Sequence, residues 1–341
     1  MIQLFRDVKI DWLGKRRIFI AISVTLMLAG MVSSVYRHTF HPQGTEAFNL
    51  GVDFKGGMLL TVRFKERPSA EATRMALEQA GLREVTIQNV LEKPNEMLIK
   101  LPLSDAAEAE GQGGLGRDRE SVARALSTLG EQNAEIVGTD AVGAIAGKEL
   151  RSRAVAVTFA ALVGILLFIA FRFEWAYGAA AVIAVFHTVL IVLGLFSIFQ
   201  WEVNMTVIAA LLTLIGFSVN DSIVVFDRIR ENLRLHRKMT LYEVTNLSIN
   251  QTLSRTVITA GLVLLSVVAL VFFGGPALRF FSLALLFGLV FGTYDSIAIA
   301  SPIMVWWQQR RARRQQLYLN AAQRGDLTDR SIKRKTSVRA G

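Results

Sequence analysis

The chain has 341 residues, 52% of them hydrophobic and 19% charged, with a mean hydropathy of +0.39, where an ordinary soluble domain carries about 25% charged residues. A formal charge of +10 would point to nucleic acid in a soluble protein, but here the basic residues sit beside long apolar runs; that placement fits membrane orientation, and no nucleic-acid partner is expected. The absence of cysteine excludes disulfides and thiolate chemistry, and His38, His41, His187 and His236 show no tight ligand spacing, so no metal, cofactor or catalytic constellation is expected.

Residues 1–17, with Arg6, Lys9, Lys15, Arg16 and Arg17, read as a cytoplasmic N-terminus. The apolar run 18–35 is longer than the roughly 7–15 residues of a signal-peptide core and ends at a poor cleavage site, so it reads as an uncleaved first span. Residues 36–150 hold more Asp and Glu than Lys and Arg and form a soluble domain inserted after that span. Within it, 58–64 alternates as a strand, 69–80 is a helix with Ser69 as N-cap, and 84–90 is a second strand. A strand at 97–101, a helix at 118–129 and a strand at 134–139 complete a β-α-β-β-α-β order, that of a ferredoxin-like α+β sandwich. Gly111, Gly113 and Gly116 satisfy G-x-G-x-x-G, but they follow a polar acidic stretch instead of closing a strand, and read as a flexible loop.

Five further spans are expected at 154–171, 178–199, 206–226, 256–273 and 277–305, with a cytoplasmic loop at 228–254 and a basic tail at 306–341. The basic segments 1–17, 228–238 and 310–339 place both termini in the cytoplasm, and thus 36–150 on the outer side of the membrane. Trp175, Trp201, Trp306 and Trp307 stand at span ends like interfacial anchors. The tail is the kind of polybasic run that is drawn to anionic membrane lipid.

Two charged residues fall within the bundle. A charge at the centre of a span costs about 2.5–3.5 kcal/mol on insertion scales and normally finds a partner. At about 1.5 Å per residue from the outer ends, Asp221 lies roughly 24 Å deep and Arg255 roughly 30 Å, so a pair across neighbouring helices is geometrically reasonable. It is either a static pair that fixes packing or a proton or gating site. Thr213, Gly216, Asn220 and Asp227 share the stripe of Asp221's helix, a small polar face that suits helix contact, with Asp227 as a solvated cap at the inner boundary. Gly288, Gly292 and Ser296 repeat small residues in the sixth span. Asp295 is a further acid placed near the inner interface, and His187 is either a proton shuttle or a hydrogen-bonded packing residue.

Four segments carry a family resemblance: Gly51-Val52-Asp53-Phe54-Lys55-Gly56-Gly57, Phe171-Arg172-Phe173-Glu174-Trp175, the run from Gly216 to Asn232, and Gln251-Thr252-Leu253-Ser254-Arg255-Thr256. Over about residues 1–307 the chain resembles the SecF family of the bacterial SecD–SecF complex. The resemblance implies half of a bundle related to the resistance–nodulation–division superfamily, completed by a SecD-like subunit. It further implies location in the inner membrane, contact with the SecYEG channel, and use of the proton gradient to help move exported unfolded polypeptides. Asp221 matches the proton-path acid and Arg255 its regulating arginine. The family usually reads His-Asp in the third span, where this chain has His187-Thr188, and Ser in the sixth, where it has Asp295; both bear on whether the proton route is rearranged. The rival functions are a proton-coupled small-molecule efflux component of the same fold and a purely structural scaffold of the channel.

Overall fold

The computed structural model describes residues 9–40, 45–82, 85–90, 93–102, 112–129, 134–172 and 175–338. Arg6, the acidic stretch 104–110, Gly111, Glu84 and the pair Phe173-Glu174 lie outside the described residues. The first span is α1 (Arg16–Phe40). After it come the two-residue strand β1 (Asn49–Leu50), the single turn α2 (Val52–Lys55), β2 (Gly57–Phe64), α3 (Ala70–Gln79), β3 (Thr86–Asn89), β4 (Glu96–Leu101), α4 (Gln112–Ser127) and β5 (Ala134–Val142). The remaining elements are α5 (Ala144–Arg172), α6 (Trp175–Phe199), the short β6 (Glu202–Val203), α7 (Met205–Leu235), α8 (Leu241–Phe273), α9 (Gly275–Asp295), a π turn (Ser296–Ala300) and α10 (Ser301–Val338).

Strands β2 to β5 form a four-stranded sheet in the order β3-β4-β2-β5, with every neighbouring pair antiparallel. Numbered within the domain that order is 2-3-1-4, the ferredoxin-like arrangement expected from a split β-α-β. Alternation sets the face: Met58, Leu60, Val62 and Phe64 point inward and are buried, closing on Leu77 of α3 and Val122 and Leu126 of α4. Ser69 caps α3 by accepting the Ala72 amide at 3.1 Å, as its position before the apolar run requires. Helix α4 begins at Gln112, not at Asp118, so Gly113 and Gly116 are helical and not loop. Each glycine costs roughly 1 kcal/mol in a helix. Val122, Ala125 and Leu126 further along α4 are buried in the domain core, and that burial offsets the cost of its glycine-rich start.

Among the described residues, six helices are long and apolar enough to cross a membrane, and the third, fourth and sixth of them form the buried centre. Most ends differ from the apolar runs. Helix α5 starts at Ala144, α7 continues to Leu235, α8 starts at Leu241, and α10 carries the sixth span far into the basic tail. Polarity marks where a helix leaves the apolar layer, while caps mark where it ends. The expected loop 228–254 is therefore almost wholly helical, broken only around His236 to Thr240, where Thr240 and Glu243 form a reciprocal capping box.

Helix contacts depend on missing side chains. A Cβ built on Gly30 of α1 would stand 2.4 Å from the Gly194 Cα of α6, and one on Gly288 of α9 would stand 2.4 Å from the Leu214 side chain of α7. Gly194→Ala is expected to destabilise the bundle by about 1–3 kcal/mol, read as a lower Tm in detergent. Gly164→Ala, which meets nothing within 4 Å, is expected to leave Tm unchanged or raise it slightly, since alanine is the better helix former.

In the inserted domain, Glu96 is buried on β4 and paired with Arg63 at 3.0 Å and Lys93 at 3.2 Å. Burial alone would raise its pKa, but the bonds from Arg63 and Lys93 outweigh it and hold the carboxylate below the ordinary glutamate value. The pairing therefore stabilises the domain at neutral pH and is lost as pH falls below about 4.3 toward the folded value. Hydrogen exchange of β4 in the intact protein is expected to accelerate on acidification through that range, and Glu96→Gln is expected to flatten the dependence.

Candidate functional site

The helix that carries Asp221 is anchored at its start by the inserted domain. Asn204 caps α7 by accepting the Val207 amide at 3.1 Å, and Asp53 of α2 accepts the adjacent Met205 amide at 2.8 Å. Strand β1 pairs in parallel with β6, Asn49 opposite Glu202 and Leu50 opposite Val203, and the Gly51 amide extends the pairing to the Val203 carbonyl at 2.8 Å. Lys100 of β4 donates to the Leu50 carbonyl at 2.9 Å and lies 3.5 Å from Glu202. Burial pushes its ammonium below the ordinary lysine value, and the Glu202 carboxylate acts against that shift. Gly56 and Gly57 have φ of 79° and 125°, a backbone that side chains resist; they turn the chain from α2 into the central strand β2.

Asp221 is 2% exposed. Its Oδ2 accepts the Thr293 hydroxyl at 3.3 Å from α9, and on its own helix Ser218 and Ser222 bury hydroxyls that have no hydrogen-bond partner among the described residues. The expected direct pair with Arg255 is not made: the carboxylate and the guanidinium are not within ion-pair distance, although Arg255's charge acts on Asp221 through space. The reason is helical phase. The buried stripe of α8 passes through Ser248, Thr252 and Thr256, and Arg255 stands about 100° round from Thr256, with its side chain on the exposed side.

Thr213, Gly216, Asn220 and Asp227 do share a face of α7, but it is exposed and not buried against another helix of this chain. The Thr213 hydroxyl turns back to the Ala209 carbonyl at 2.9 Å, and Asn220 makes no hydrogen bond with any described residue.

A second polar node lies between the first, third and sixth spans. Asp295 is fully enclosed by protein at 0% exposure. Its Oδ2 lies 2.8 Å from His187 Nδ1 and accepts the Thr188 hydroxyl. His187 Nε2 is 2.8 Å from Ser23 Oγ of α1. The other carboxylate oxygen, Oδ1, is buried with no partner among the described residues. His187 is thus hydrogen-bonded on both ring nitrogens, and the two positions that depart from the resembled pattern, 188 and 295, touch each other. Directly after Asp295 the helix widens into the π turn Ser296–Ala300, which accommodates Pro302, a residue that lacks an amide donor and crowds the carbonyl one turn earlier.

Six spans, one inserted ferredoxin-like domain and two enclosed acids against neighbouring helices describe a polytopic membrane protein of the transporter type, in which protein side chains replace water around ionisable groups. The comparisons narrow that class. The family described as "Protein export membrane protein SecD/SecF, C-terminal" matches residues 121–310, and the "SecD/SecF GG Motif" matches residues 45–66. The chain is 37% identical to the protein translocase subunit SecF of Koribacter versatilis over 92% of its own length and 95% of the relative's. It is 38% identical to that of Thermodesulfovibrio yellowstonii over 89% and 97%. It also matches the crystal structure of SecDF, a translocon-associated membrane protein, from Thermus thermophilus, with a TM-score of 0.74 and 37% identity, over 89% of this chain and 39% of that one. The chain belongs to the SecD/SecF family of protein-export membrane proteins, and within it is a SecF-type translocase subunit.

The Asp53 cap escaped the sequence reading, because its acceptor role depends on an amide far along the chain. Asp53→Ala is expected to cost about 1 kcal/mol at the start of α7, measured as faster hydrogen exchange at Met205 and Thr206. Asp53→Asn keeps an acceptor oxygen and is expected to restore most of the protection.

Proposed function

We propose that this chain is the SecF-type half of a proton-driven accessory unit that acts with a SecD-like subunit at the SecYEG channel and helps draw exported unfolded polypeptides across the bacterial inner membrane. In this reading both termini are cytoplasmic and residues 36–150 work on the periplasmic side. The observation that carries it is Asp221: a buried carboxylate with one hydroxyl donor and a counter-charge within electrostatic reach but not in contact. Such an acid can hold a proton in one state and an Arg255 ion pair in another, which is the requirement for a switch. A proton crossing the membrane releases about 2.3 kcal/mol per 100 mV, enough to bias two arrangements of a hinged domain. Asp295, with His187 and Thr188, supplies a second acid on that route.

The Asp53 bond and the β1–β6 pairing support transmission, since they tie the start of Asp221's helix to the inserted domain. The exposed face of Thr213, Gly216 and Asn220 supports a SecD-like partner, because an amide on the outside of a spanning helix calls for a hydrogen-bonding neighbour. Thermus thermophilus SecDF matches this chain over 39% of its length, which leaves room in that protein for such a partner.

Asp221→Asn is expected to assemble normally, the amide being similar in shape and neutral, and to reduce the uncoupler-sensitive part of reporter-protein export to background. Asp221→Asn combined with Arg255→Gln is expected to assemble and to remain uncoupled. Full uncoupler-sensitive export in Asp221→Asn would make the carboxylate structural and favour the scaffold.

A further inference from the structure

A cavity of about 500 Å³ opens where the inner extension of α7 meets α10 and the start of α6, lined by Arg230, Arg234, Arg311, Gln308, Gln315 and Tyr177. Its size falls within the usual range for a ligand site. Arg230 and Arg234 are one helical turn apart and share a face of α7, and Arg311 approaches from α10. Among the described residues the lining contains no carboxylate. Among them, too, none of these three arginines has an ion pair or hydrogen bond, whereas Arg228 on the same helix is paired with Glu231 at 2.6 Å. Among the described residues, three guanidiniums thus line one concavity without an internal counter-charge, and their mutual repulsion is relieved when an anion binds.

The surroundings say which anion. Tyr177, 3% exposed, packs its ring edge against Phe226 at a centroid distance of 5.1 Å and contributes to the cavity wall at the third span's start. Beside the cavity, and sharing Arg311 with it, is a second recess formed by Trp306, Trp307, Arg310 and Arg314. Trp306 is half exposed, with the Arg310 guanidinium 4.3 Å above its ring. Exposed tryptophan beside arginine is the pattern of the membrane–water boundary. The cavity therefore lies at headgroup level and not in open solvent.

The geometry points to a binding site for the phosphodiester headgroup of an anionic phospholipid, with Arg230, Arg234 and Arg311 as phosphate ligands through their planar donor forks and Gln308 and Gln315 as flanking amide donors. The site joins the fourth and sixth spans, the helices that carry Asp221 and Thr293, so an occupied headgroup would brace them on the inner side. This assignment is independent of the proton reading.

The test uses the full chain in mild detergent, with bound lipid counted by native mass spectrometry after addition of phosphatidylglycerol or phosphatidylcholine. The unmodified chain is expected to prefer phosphatidylglycerol by about tenfold or more, and Arg230→Gln/Arg234→Gln/Arg311→Gln to lose that preference. Arg237→Gln/Lys238→Gln/Arg313→Gln removes equal charge outside the cavity and is expected to keep it. Replacing the three cavity arginines by lysine preserves charge without the fork and is expected to give an intermediate preference, a readout that holds even where the glutamine variant fails to fold. Equal loss in the cavity and control variants would overturn the site in favour of diffuse surface charge. A lysine variant equal to the unmodified chain would overturn recognition by the guanidinium fork, and displacement of the lipid by an equal concentration of inorganic phosphate would overturn the lipid assignment.

Discussion

Every polar group in the bundle is constrained by the lack of water to solvate it. Backbone groups are satisfied within the helices, and hydroxyls such as that of Thr252 turn back to a carbonyl of their own helix, but a buried carboxylate or imidazole needs a partner from a neighbouring span. The two acids meet that need differently. Asp295 is held by Thr188 and faces His187, which in turn reaches Ser23, so a single node joins the first, third and sixth spans. Asp221 has only Thr293 among the described residues. Asp295 is thus the more heavily partnered acid and Asp221 the more sparsely partnered one.

Close helix approach is the other half of the same constraint. Hydrogen bonds of under 3 Å between side chains as short as Ser23 and those of facing helices require axes that come near each other, and Gly30 against Gly194 provides this for the first and third spans. Gly288 and Gly292 do the same for the fourth and sixth, bringing Thr293 within reach of Asp221. The glycines and the polar nodes are therefore one device, since bulk at the crossings would separate the donors from their acceptors.

The inserted domain has its own core and meets the bundle through a joint of polar bonds beside an apolar cluster, in which Phe54 and the half-buried Phe48 and Leu50 pack with Phe196, Val203 and Val207. A two-residue parallel pairing, the Asp53 bond to Met205 and the Lys100 contacts to Leu50 and Glu202 hold it to the loop before the fourth span. Gly51, Gly56 and Gly57 let the chain pass closely through this joint, which sits at the N-terminus of α7, the helix of Asp221.

Much of this was legible along the chain. Apolar length determined six spans, period-two alternation and turn residues determined the β-α-β-β-α-β order, and charge in an apolar run singled out Asp221 and Arg255; each depends on neighbours a few residues away. Helix ends were legible in part: Ser69 was read as a cap, whereas the Thr240–Glu243 box was passed over because the basic residues before it read as loop. What only the tertiary structure decided was which groups meet. The phase of α8 turns Arg255 away from direct contact with Asp221, the stripe of Thr213, Gly216 and Asn220 faces outward, and Thr188 and Asp295, 107 positions apart, share one hydrogen bond. Periodicity places a residue on a face of its own helix; the rotation and crossing of the neighbouring helix, set by packing across the whole bundle, determine what that face touches.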